Sequence, residues 1–86
     1  AMSGGAAGFG LLARLIAAAT DMAAAAVRPG ARLHEDLGID SLEMAALLVD
    51  IEHHFAVVIT SDVLERVHTV DDLHAAIVRA GHEARA

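Results

Sequence analysis

Apolar residues recur at three- and four-residue spacings through most of this sequence, while its short β-branched run, Ala56-Val57-Val58-Ile59, has no second run to pair with. The first spacing puts apolar side chains on one face of a helix, whereas a strand needs alternation and a neighbour. A lone strand is not a stable element. The pattern predicts an all-α fold in which residues 56–59 form an extended connector.

The periodicity also places the helices. Leu11, Leu12, Leu15, Ile16, Ala19 and Met22 define a first amphipathic helix starting at Leu11, and Pro29-Gly30 stops anything helical before the next element. Val27 and Leu33 are the expected buried anchors of the connection between the two. A second helix is predicted over Ser41–His54. At 100° per residue, Met44, Leu47, Leu48, Ile51 and Phe55 share its core face. Leu42, Ala46 and Val49 fall opposite, flanked by Glu43, Asp50 and Glu52, as an apolar strip with an acidic border facing solvent. Residues 61–67, Ser-Asp-Val-Leu-Glu-Arg-Val, suit a short helix capped by Ser61 with Val63, Leu64 and Val67 inward. Thr69 is the next N-cap candidate, with Asp72 at the capping-box position. Val70, Leu73 and Ile77 line a last helix ending near Gly81.

The expected architecture is a small bundle of three principal helices plus one short helix, with an aliphatic core. Residues 1–10, rich in glycine and alanine, read as a flexible tail, 11–80 as the domain, and 81–86 as a C-terminal tail. Ala1 ahead of Met2 reads as a cloning remnant, with Met2 the start of a free-standing chain. An excised domain of a larger enzyme is the alternative.

With 86 residues this is one domain burying only ~60% of its unfolded surface, too little for large hydrolytic or redox machinery. The absence of Cys excludes a disulfide framework, a thiolate metal site and a cysteine nucleophile, and fits a reducing cytoplasm. A formal net charge of -6 with no basic stripe argues against nucleic acid as a partner. Arg14 and Asp21 interrupt the apolar N-terminal stretch, which is too broken to span a membrane, and no basic region precedes it as in a secretion signal.

Against this background, Ser41 in Asp36-Leu37-Gly38-Ile39-Asp40-Ser41-Leu42 has three readings. It could be an N-cap and nothing more, its hydroxyl accepting a backbone N–H of the next turn. It could be a hydrolase nucleophile, but there is no Gly-x-Ser-x-Gly elbow and no histidine placed as a base. It could be an attachment point. A phosphodiester at a helix N-terminus meets unpaired N–H groups and the positive end of the macrodipole. Gly38 would free the turn before the helix and let a modifying enzyme approach the backbone.

The seven residues 36–42 resemble the phosphopantetheine attachment motif of acyl carrier proteins, in which the serine after Asp-Leu-Gly-x-Asp receives the prosthetic arm. Leu47, Ile51, Phe55, Ile59 and His68-Thr-Val-Asp-Asp-Leu73 are similar to the rest of the family pattern, so the resemblance covers about residues 11–80. It implies a non-catalytic monomeric carrier bearing 4'-phosphopantetheine on Ser41, with Asp40 and Gly38 as the adjoining motif residues. A phosphopantetheinyl transferase would install the arm. Acyl groups would ride on its thiol to partners such as a ketosynthase or acyltransferase. The order Gly38-Ile39-Asp40, without a second glycine, favours an acyl over a peptidyl cargo. Ala46, His53 and His54 stand where fatty-acid carriers commonly have carboxylates, and Thr60 where proline is frequent. These departures favour polyketide or related natural-product synthesis, with fatty-acid biosynthesis as the alternative pathway. The competing class is a small helical interaction module in which Ser41 is only a cap.

Two surfaces follow. Docking is expected on Asp40, Leu42, Glu43, Val49 and Asp50, because helix positions just after Ser41 must be approached by any enzyme receiving the arm. Met44, Leu48, Ile59 and Leu64 sit on inward stripes near the arm's origin, and would line a shelter for an acyl chain if the helices part. Ordinary core packing is their alternative. The six histidines read as solvated surface residues, because His53 and His54 point about 100° apart on a helix and cannot chelate one ion together. No metal is expected.

Overall fold

The computed structural model describes residues 4–85, as helices α1 (Gly4–Thr20), α2 (Ser41–Phe55), α3 (Ser61–Leu64) and α4 (Val70–Arg85), with a 3-10 turn at Ala24–Ala26. Among the described residues there is no strand. The nearest approach to one is an isolated antiparallel bridge between Arg32 and Thr69. Residues 57–60 form an irregular connector, as the lone β-branched run predicts.

One aliphatic core joins the helices. Leu12, Ile16, Leu47, Ile51, Val70 and Leu73 are its fully buried large side chains, and α1 packs against both α2 and α4. Leu47 and Ile51 are the centre of the predicted α2 face, while Met44, Leu48 and Phe55 at its edges are half-buried. Val27 and Leu33 are buried, so the long connection is pinned by the two anchors read from the sequence.

Four boundaries differ from expectation, the first being the short helix, which ends at Leu64 rather than Val67. α1 begins at Gly4 rather than Leu11, so residues 4–10 continue the helix, while the remainder of the expected tail, residues 1–3 including Ala1, lies outside the described residues. Tertiary contact outweighs the weak helix propensity of these glycines. Phe9 meets His74 edge-on with ring centroids 5.6 Å apart, and a Cβ on Gly8 would come within 3.4 Å of the His74 Nε2. α4 likewise runs through Gly81 to Arg85, and only residue 86 of the expected C-terminal tail falls outside the described residues. α2 ends one residue late at Phe55, where Ala56 adopts a left-handed conformation (φ 55°, ψ 47°) and its N–H donates to the Glu52 carbonyl.

The caps also shift by one residue. Thr60, not Ser61, caps α3, its hydroxyl accepting the Val63 N–H at 3.4 Å. Thr69 does open α4. Its Oγ1 accepts the Asp72 N–H at 3.0 Å while the Asp72 carboxylate accepts the N–H groups of Thr69 and His68 at 3.1 and 2.9 Å. The connection is then tied to that helix start, where Val70 N–H donates to Ala31 O and Asp71 N–H to Pro29 O.

Candidate functional site

The turn that delivers Ser41 is closed on itself by its own backbone. Asp36 and Leu37 donate to the Arg32 carbonyl, Gly38 to that of His34, and Ile39 to that of Leu33, while Leu33 N–H reaches across to His68 O at 2.8 Å. Leu33 and Ile39 are buried, so both ends of the turn are anchored in the core. The Asp36 carboxylate accepts the Arg32 N–H at 2.8 Å and pairs with its guanidinium at 3.4 Å. Its pKa is lowered below the usual carboxylate value, first by that backbone hydrogen bond and then by the side-chain one. The motif's first aspartate is therefore a turn-former. Gly38 sits at φ +69° with open space where a Cβ would point, so the left-handed backbone, not a close contact, is what calls for glycine there.

Asp40 is the N-cap of α2. Its carboxylate accepts the Glu43 N–H, Glu43 answers with a carboxylate toward the Asp40 N–H, and the pair forms a complete capping box. This corrects the reading of Ser41 as the cap. Ser41 is the first helical residue, it is exposed, and neither cap bond uses its hydroxyl. Asp and Ser are nearly equal as caps, so their adjacency hid the assignment from the sequence.

Ser41 opens onto a groove of about 610 Å³. Met44, Ala45 and Leu48 of α2 form one wall, Leu64 and Val67 another, and His34, Ile39 and Asp40 close the end. Three of the four residues expected to line an acyl shelter, Met44, Leu48 and Leu64, meet here. Ile59 does not. It is buried in the core and edges a separate hollow with Val58, Val63 and Arg79. His34 was not singled out in the sequence, because its contact to Ile39 arises from the fold of the turn and has no periodic signal.

The outer face of α2 carries Leu42 and Val49, 80% and 65% exposed, with Asp50 and Ala46 exposed beside them. Glu43 is half-buried and engaged in the capping box. Of the expected docking residues, Asp40 and Glu43 thus also hold the helix start, whereas Leu42, Val49 and Asp50 have no such task in the cap.

Among the described residues, no group of three or more His, Asp or Glu side chains stands close enough to hold a metal ion, and no helix is long and apolar enough to cross a membrane. His53 and His54 touch edge to face, 5.4 Å apart.

Ser41 is thus exposed at the first turn of α2, preceded by a left-handed glycine and an aspartate cap. The family described as "Phosphopantetheine attachment site" matches residues 10–77. The chain belongs to the acyl carrier protein family. It is 42% identical over 59 residues to the acyl carrier protein MbtL of Mycolicibacterium paratuberculosis (strain ATCC BAA-968 / K-10), covering 69% of this chain and 66% of the relative. It is 41% identical over 46 residues to an acyl carrier protein of Karelsulcia muelleri (strain GWSS), covering 54% of this chain and 55% of that one. The matched stretches thus span between about half and two thirds of these relatives' lengths.

Phosphopantetheine is the group this family carries, and the residues present fit it. Ser41 offers an exposed hydroxyl. The first amides of α2 have no acceptor within the helix and lie beside it, as a phosphodiester requires. The groove gives an attached chain somewhere to lie.

Proposed function

We propose that this acyl carrier protein receives 4'-phosphopantetheine on Ser41 from a phosphopantetheinyl transferase and delivers acyl groups to the enzymes of a polyketide or related natural-product pathway. The observation that carries the reading is the Ser41 hydroxyl, exposed at the first helical position and left out of the capping box by Asp40 and Glu43. The pantetheine thiol, when present, supplies the sulfur that carries acyl groups as thioesters.

The chain's own contribution is placement and recognition. Leu33 and Ile39 anchor the turn, Gly38 lets it bend, and Asp40 fixes the helix start, so the serine is held at a rigid corner rather than on a loose loop. Ser41 and Leu42 N–H groups and the positive helix end favour a phosphodiester. Leu42, Val49 and Asp50 form the surface next to the attachment point that an enzyme receiving the arm must approach. An exposed apolar patch with a charged rim suits brief binding. Tethering makes each encounter of cargo and docked enzyme intramolecular, at high effective concentration. Partners of the ketosynthase or acyltransferase kind fit this role. The natural-product assignment rests on Ala46, His53 and His54, which make the docking helix less acidic than is usual for fatty-acid carriers.

Intact mass after incubation with coenzyme A and a broad-specificity transferase tests the reading. One phosphopantetheine should be added to the parent chain and none to Ser41→Ala. Modification of Ser41→Ala, or none in the parent under conditions that modify a control carrier, would sink it.

A further inference from the structure

His34 is tied twice to the end of the turn that leads into Ser41. Its carbonyl accepts the Gly38 N–H at 3.0 Å, and its ring Nδ1 lies 3.2 Å from the Ile39 carbonyl oxygen. A carbonyl oxygen can only accept, so Nδ1 carries the hydrogen in that bond. In the neutral ring Nε2 is then left as a lone-pair acceptor.

The same ring closes the end of the groove beside Asp40 and Ser41. Beyond them the lining is aliphatic or thioether: Ile39, Met44, Leu48, Leu64 and Val67. Asp40 accepts the Glu43 N–H through Oδ1, which leaves Oδ2 outside that bond as one side-chain acceptor at this end of the groove. A chain attached at Ser41 and turning into this groove would bring N–H or O–H groups into surroundings with few acceptors. An unmet donor there carries a desolvation cost. Nε2 of His34 is the uncharged acceptor at that end.

We propose that His34 is a positioning residue, its Nε2 accepting a hydrogen bond from an amide N–H or hydroxyl of the group tethered at Ser41 and so drawing that group into the groove. The inference rests on Ser41 as the attachment residue. The donor is defined by its chemistry alone. It can belong to the pantetheine arm, which has two amides and a hydroxyl, or to a hydroxylated acyl cargo. A histidine that merely clasped the turn would need only Nδ1.

The two nitrogens can be separated. In His34→Asn the amide nitrogen replaces Nδ1 and can still donate to Ile39 O, but nothing replaces Nε2. The full chain, labelled with ¹⁵N-histidine, is loaded enzymatically with the arm alone and, in parallel, with the arm bearing a 3-hydroxybutyryl group. Mass spectrometry confirms loading before spectra are compared. The expected result is an upfield movement of the His34 Nε2 resonance in at least one loaded form: movement with the arm alone assigns the donor to the arm, and movement only with the hydroxyacyl form assigns it to the cargo. In His34→Asn, the backbone amides of Gly38 and Ile39 should keep their positions while the loading-induced shifts at Met44 and Leu48 are lost. A confirmed mass gain with Nε2 unmoved in both forms overturns the inference alone. So does a His34→Asn variant that shows the parent's loading shifts. No mass gain overturns the Ser41 reading, and this one with it.

Discussion

The Asp40 carboxylate accepts the Glu43 backbone N–H at 2.7 Å, and the Glu43 carboxylate accepts the Asp40 N–H at 3.1 Å. This reciprocal pair takes over the capping that the neighbouring serine could have supplied. It separates two jobs that the motif places side by side. The aspartate stabilises the start of α2, and the serine hydroxyl takes no part in the cap.

Stability should follow that division. Asp40→Ala should lower the unfolding free energy by about 1 kcal/mol, the usual cost of losing an N-cap. Ser41→Ala, at an exposed position outside the cap, should change it by less than about 0.5 kcal/mol. Urea unfolding followed by circular dichroism measures both. An equal loss in the two variants would return the cap to Ser41.

Acid should loosen the start of α4. Asp72 has its carboxyl lowered below the ordinary value, chiefly by the backbone N–H of His68 and then that of Thr69. A carboxyl whose folded pKa lies below its unfolded value binds fewer protons when folded. Its stabilisation is therefore complete above the unfolded pKa, and is lost as pH falls through the folded one. Asp36 acts in the same direction through the Arg32 N–H. The unfolding midpoint of the parent should fall on acidification from the ordinary carboxylate range downward. Asp72→Asn should be less stable near neutrality and should show a shallower acid limb. An acid limb as steep as the parent's in Asp72→Asn would mean that the linkage lies elsewhere.

Much of this was legible in the residues. The inner stripes of α2 and α4 were plain because Leu47, Ile51, Val70, Leu73 and Ile77 follow helical spacing and are all buried. The motif placed Ser41 at the start of α2, and the exposed strip of Leu42 and Val49 followed from geometry alone. The extension of α1 back to Gly4 was not legible, since its glycines read as breakers and the contact of Phe9 with His74 joins residues 65 positions apart. The cap and the last residue of α2 were hidden for local reasons. Asp40 and Ser41 are rival caps of similar strength, and the left-handed residue after the helix is Ala56 rather than the glycine that usually marks such a stop. Ile59 was placed with Met44 and Leu48 by its inward stripe, but an irregular connector carries no period from which a shared cavity can be deduced.

That left-handed alanine is itself testable. A non-glycine residue pays a steric cost of roughly 1–2 kcal/mol in this conformation, partly offset because glycine loses more freedom on folding. Ala56→Gly should stabilise the protein by a few tenths to about 1 kcal/mol, seen as a higher urea midpoint with an unchanged slope. Destabilisation would mean that the Ala56 methyl makes a contact worth more than the strain it creates.

Acyl loading should report on the groove rather than on the core as a whole. If a chain lies along the wall below Ser41, amide and methyl shifts should move at Met44, Leu48, Leu64 and Val67, which line it, and stay nearly fixed at Ile59, which does not. Comparing the arm alone with a hexanoyl-loaded arm isolates the acyl contribution. Changes confined to Ser41 and its exposed neighbours would show that the chain stays in solvent, and equal changes at Ile59 would show that the core opens more widely than this groove.

Docking can be tested without disturbing the cap. Glu43 is a poor probe because its carboxylate holds the Asp40 N–H, so a charge reversal there would weaken the helix start as well as any partner contact. Asp50 and Leu42 are exposed and take no part in the capping box. Asp50→Lys should lower the transferase kcat/KM at low ionic strength and recover toward the parent as salt screens the charge over a Debye length of about 10 Å or less. Leu42→Ala should lower it at every salt concentration, because apolar contact is not screened. Its unfolding midpoint should match the parent's, given that Leu42 is 80% exposed. Parent-like kcat/KM for both folded variants would place recognition away from this face of α2.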